Sequence, residues 1–84
     1  MKHAGAESLD RIEGLLQRIR AYAGLREKSR GVFYVKQRAA LHFHEDPAGL
    51  FADLRLEGDW DRLPVNTKAQ QAALLARIAK LKSA

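Results

Sequence analysis

The stretch Ala40–Leu56, ALHFHEDPAGLFADLRL, decides the fold. Its centre, Asp46-Pro47-Ala48-Gly49, carries Asp first, Pro second and Gly fourth, the pattern of a type I turn. Asp46 then has a structural task, accepting from the backbone inside the turn. A turn there pairs Glu45 with Leu50, His44 with Phe51, Phe43 with Ala52, His42 with Asp53 and Leu41 with Leu54. Side chains alternate across a strand, so Leu41, Phe43, Ala52, Leu54 and Leu56 share the core face. His42, His44, Phe51, Asp53 and Arg55 share the other face.

Upstream, Val32–Lys36 (VFYVK) is rich in β-branched and aromatic residues and reads as a strand before a second one at Ala39–Phe43. The connection lacks the glycine that would name its turn type. A three-residue loop puts Phe33 and Val35 in the core and Tyr34 and Lys36 beside the histidines. A two-residue loop swaps the faces. The three-residue form is the one expected, because it leaves the open face polar. Residues 50–56 form the third strand, and a fourth is expected around Trp60–Leu63 if that segment is not a loop.

Two helices flank the strands. Leu9, Ile12, Leu16, Ile19 and Ala23 recur at helical spacing, with Leu15 and Tyr22 widening the stripe. Ser8 is the expected cap, and Gly24 and Leu25 fit a left-handed ending. Thr67 and Gln70 have capping-box spacing ahead of a helix over 67–82, whose buried stripe is Leu74, Leu75, Ile78 and Leu81. Lys80 and Lys82 fall in its last turn, at the negative end of the helix dipole. The segment "REKSRG" between the first helix and first strand reads as a polar link. The order is α-β-β-β-(β)-α. Short connections favour an antiparallel meander, so the expected class is α+β, a two-layer sandwich with two helices on one face. Residues 1–84 make one small domain, with 1–6 and 83–84 expected to fray.

Composition narrows the function. The chain has 84 residues and no cysteine, which excludes disulfides, thiolate metal sites and a cysteine nucleophile. No apolar run approaches the ~20 residues of a membrane span, and the first ten residues lack the apolar core of a signal peptide. The expectation is a cytoplasmic protein with no membrane partner. The net charge of +5 is uneven: residues 1–44 hold nine Lys/Arg against four Asp/Glu, 45–61 one against six, and 62–84 five against none.

The His-x-His pair puts two imidazoles on one strand face, within reach of a shared metal, with Asp53 as a third candidate ligand. The glutamate that a cupin-type site needs beyond the second histidine is missing; Ala48 and Gly49 occupy that region. No serine sits in a nucleophile elbow, no glycine-rich phosphate loop is present, and no cofactor is expected. Arg26, Lys28 and Arg30 form a basic loop able to hold a phosphate or an acidic partner. Tyr34, Lys36, Arg38, Phe51 and Arg55 offer aromatic and basic groups for nucleic acid, against the charge of Glu45, Asp46 and Asp53.

The run RGVFYVKQRAALHFHEDPAGLFADLRL (30–56), followed by RLPVNT (62–67), resembles a family of short uncharacterised bacterial proteins over about residues 9–81. That family has no assigned activity, so the resemblance supplies no catalytic residues. The strand-hairpin pattern is also similar to the YjbR/MmcQ-like proteins, whose fold has been linked with DNA binding. The sequence therefore points first to a noncatalytic binding module. Its open face (Tyr34, Lys36, His42, His44, Phe51, Asp53, Arg55) would meet a protein partner or a second copy of the chain. A small metal-dependent or acid/base enzyme centred on His42, His44 and Asp53 is the alternative, and weak nucleic-acid binding a third reading.

Overall fold

Leu41 and Phe43 are buried while His42 and His44 are only partly covered, so the alternation of the central strand survives intact in the folded chain. The computed structural model describes residues 2–80. In chain order the elements are β1 (Lys2–His3), α1 (Ala6–Arg11), α2 (Glu13–Arg20), β2 (Arg26–Ser29), β3 (Val32–Val35), β4 (Arg38–Asp46), β5 (Gly49–Leu54), β6 (Asp61–Pro64) and α3 (Lys68–Ile78). The strands form one antiparallel sheet in the order β2-β3-β4-β5-β6, with β1 also paired to β4. The class is α+β. Leu9, Leu16 and Ile19 from the first two helices and Leu74 and Ile78 from α3 join Phe33, Leu41, Phe43, Ala52 and Leu54 in one buried cluster, leaving the opposite sheet face open. Each fully buried Leu, Ile or Phe in it stabilises the fold by about 1.5–3 kcal/mol.

The β4–β5 ladder pairs Leu41 with Leu54, His42 with Asp53, Phe43 with Ala52, His44 with Phe51 and Glu45 with Leu50, as the turn requires. Asp46 accepts the Ala48 N–H at 2.7 Å and closes that turn. Gly49 has φ +131°, and a Cβ there would lie 2.6 Å from Asn66 Oδ1. Asn66 needs that space: it accepts from Leu50 N–H at 2.8 Å and donates to Leu50 O at 3.2 Å, tying the hairpin to the start of α3. Thr67 and Gln70 form the expected capping box.

The first hairpin differs from expectation in an instructive way. Val35 pairs with Arg38, so the loop is the two-residue Lys36–Gln37, with Lys36 at φ +56°. The faces do not swap, because Phe33 pairs with Leu41 while Tyr34 pairs with Ala39. Ala40 is thus an extra residue, a bulge that restores the register. Phe33 is fully buried and Val35 packs against the core, as expected, but by a different route.

Other elements depart further. The first helix is split at Ile12 (φ −113°, ψ 21°), starts at Ala6 with Gly5 as its cap residue, and ends at Arg20. Ser8 lies inside α1 and is not the cap. The chain beyond α2 continues in tight turns that bring Leu25 into the core. Residues 2–6, expected to fray, hold β1 and the first residue of α1. The segment "REKSRG" contains β2, an edge strand with mostly exposed side chains; charge on an edge discourages pairing with another chain. The fourth strand is real and ends at Pro64, which an edge position tolerates. Helix α3 ends at Ile78; Leu81, Lys82 and residues 83–84 lie outside the described residues.

Candidate metal centre

Three histidines meet on the open face. His42 and His44 project from β4, and their ring centroids lie 4.7 Å apart, edge to face. The third is His3. Strand β1 sets His3 directly opposite His44, with centroids 4.8 Å apart and 5.5 Å to His42. One ring nitrogen from each histidine lies within 4.8 Å of the others. Imidazole nitrogens bound at ~2.0–2.1 Å around a tetrahedral ion stand about 3.4 Å apart. The cluster therefore closes on an ion with ring movements of about 1 Å.

The docking of β1 is specific. Lys2 pairs with Glu45, Ala4 N–H donates to Phe43 O at 3.0 Å, and Gly5 N–H donates to the Glu45 carboxylate at 2.7 Å. That last bond is the main cause holding the Glu45 carboxyl below its usual range.

His42 is partly buried on this face. Burial is the first cause lowering its pKa, the neighbouring His44 the second, and Asp53 opposes them. It is held neutral, with a lone pair to offer. Its Nδ1 is buried without a hydrogen-bond partner, an unusual state for a polar atom in a folded protein.

Asp53 is buried at 6% exposure and serves the cluster from behind. Arg62 on β6 grips both of its oxygens, at 2.8 and 3.0 Å. The Arg62 hydrogen bonds are the largest cause lowering the Asp53 pKa, with burial opposing. Asp53 Oδ2 also stands 2.8 Å from His44 Nδ1, an ion-pair distance without the angle of a hydrogen bond. A carboxylate beside Nδ1 leaves Nε2 as the nitrogen to face a metal. Both Asp53 oxygens are engaged, and the three residues grouped as candidate ligands are His3, His42 and His44.

Trp60, 38% exposed, packs edge-on against His42 at 4.7 Å, and the Arg55 guanidinium covers the indole at 4.4 Å. A cavity of about 370 Å³ opens between His42, Asp53, Trp60 and Arg62.

Of the remaining candidates, Phe51 lies beside the cluster, paired with His44 and Pro64 in the sheet. Tyr34 carries Lys28 Nζ over its ring at 4.6 Å, and Lys36 occupies the hairpin turn. Neither reaches the histidines. Of the basic segment, Arg30 pairs with Asp10 and Glu13, while Arg20 bridges Glu13 and Glu27, tying α2 to β2.

Sequence reading missed His3, Trp60 and Arg62. The signal for Arg62 is its place opposite Asp53, visible only once β6 is in register. No family model, curated protein or solved structure matches the chain. Among the described residues, no helix is long and apolar enough to cross a membrane.

Proposed function

We propose that the protein is a small noncatalytic binding module whose open sheet face holds a divalent transition metal through His3, His42 and His44. The observation that carries this reading is the convergence of three imidazole nitrogens within 4.8 Å. The unpartnered His42 Nδ1 and the Asp53 carboxylate behind His44 support it. An all-imidazole set suits zinc, nickel or copper(II) better than the hard ions that prefer oxygen. A cytoplasmic location belongs to the same reading, in keeping with a chain that has no cysteine to oxidise.

Calorimetric titration with zinc, nickel and copper(II) tests it. The expected result is one ion per chain, with heat lost in a His42→Ala, His44→Ala double variant that keeps its circular dichroism. No heat with any of the three ions would end the metal reading.

Self-association through the same face is a second reading, favoured by Trp60. It is the large hydrophobic residue left exposed among the described residues, and it sits beside the histidines. Aromatic anchors of this kind often centre an interface. Light scattering at high concentration, with Trp60→Ser as control, decides it: a strict monomer removes the reading.

A further inference from the structure

A separate cavity of about 480 Å³ lies at the Lys36–Gln37 turn and shares no lining residue with the histidine cluster. We propose that it binds a small organic anion with an apolar body, of the class of a medium-chain carboxylate. Its floor is apolar: Ala40 is buried, and Val35 and Leu56 pack against the core. Its polar lining includes three cations, Lys36, Arg38 and Arg55, and no carboxylate. Such a site attracts a negative head and accepts a hydrocarbon tail.

Three further observations bear on these cations. Among the described residues Lys36, Arg38 and Arg55 take part in no ion pair, so no carboxylate neutralises them. Arg55 is fixed by donation from Nη2 to Ala39 O at 2.9 Å and by the Trp60 ring 4.4 Å from its guanidinium, and its Nε has no acceptor within the fold. The guanidinium is thus held in place with N–H capacity to spare, and a charge-assisted bond to an anion uses that capacity. Lys36 also holds φ +56°, in a turn where glycine or asparagine is the relaxed choice. Backbone strain of this kind is characteristic of functional positions. No aromatic side chain lines the cavity, so the stacking platform that single-stranded nucleic acid needs is missing here.

The test is calorimetric titration of the full chain with octanoate, in low salt and with a chelator present so that no metal supplies the anion site. Acetate, inorganic phosphate and octyltrimethylammonium serve as comparison probes. The expected result is one octanoate per chain, bound at least roughly tenfold more tightly than any comparison probe. Arg38→Gln and Lys36→Gly should each weaken octanoate about three- to tenfold. Lys36→Gly removes the charge while relaxing the turn, so misfolding does not explain its loss. Absence of saturable octanoate binding overturns the proposal. Equal binding of acetate or phosphate reduces the site to bare charge and overturns it. Equal binding of octyltrimethylammonium reduces it to an apolar hollow, with the same consequence. Octanoate affinity unmoved by both substitutions places any binding elsewhere and overturns it too.

Discussion

His3 stands across the β1–β4 ladder from His44, and the two rings lie 4.8 Å apart. One ligand thus sits on a two-residue strand and two on a nine-residue strand at the centre of the sheet. His3→Ala is therefore expected to weaken nickel or zinc binding strongly while leaving thermal stability without metal nearly unchanged. Asp53→Asn, at the carboxylate that stands 2.8 Å from His44 Nδ1, should cost about 10–100-fold in metal affinity. Calorimetry on both variants checks this; equal affinities in His3→Ala and wild type would remove His3 from the site.

With His3 as the third proposed ligand, metal binding and β1 docking are coupled. Metal should slow amide exchange at Ala4 and Gly5, whose N–H groups hold β1 to Phe43 and Glu45. Glu45→Gln weakens the acceptor of the Gly5 bond without removing a ligand. It should lower metal affinity several-fold, with the ratio of zinc to nickel affinity unchanged. Exchange measured by NMR, with and without zinc, reports on the first effect, and identical protection in both states would contradict the coupling.

The β4–β5 hairpin was readable to the residue because two independent signals agree there: a turn sequence and a strict apolar alternation. The outward placement of His42 and His44 follows from the same register. β1 was not readable, since Lys2 and His3 have neither length nor pattern and are defined by their partners on β4. β2 was hidden for a related reason: Arg26-Glu27-Lys28-Ser29 is an edge strand with no apolar face. At the first hairpin the residues named the right core face, but only the Ala40 bulge explains how a two-residue loop keeps it. Local sequence carries no mark of a bulge when the extra residue is a buried alanine.

Stability should fall with acidity through His42. In the unfolded chain His42 titrates near its ordinary 6.5, whereas in the fold burial lowers its pKa. As pH falls through the ordinary value, the unfolded state gains a proton that the folded state takes up only at lower pH. The stability His42 contributes is thus full above its unfolded pKa and is lost as pH falls towards its folded one. Asp53, lowered by Arg62, adds a second loss at more acidic pH, below the ordinary carboxylate range. Thermal midpoints of the metal-free protein should decline from about pH 7 to 5 in wild type and less in His42→Gln. Parallel profiles would show that His42 is not the group responsible.

Two glycines should respond to alanine with opposite sign. At Gly49 the backbone has φ +131°, and a Cβ would stand 2.6 Å from Asn66 Oδ1. Gly49→Ala must therefore strain the turn and displace the side chain that bonds both Leu50 N–H and Leu50 O. A loss of about 1–3 kcal/mol is expected from the backbone alone. Gly14 lies exposed within α2, and a Cβ there would meet nothing within 4 Å. Gly14→Ala removes flexibility from the unfolded chain and should stabilise by about 0.4–1 kcal/mol. Urea unfolding of the two variants measures both effects. The opposite signs matter because a register error of one residue at the β4–β5 turn would relieve Gly49 of its positive φ and abolish the loss.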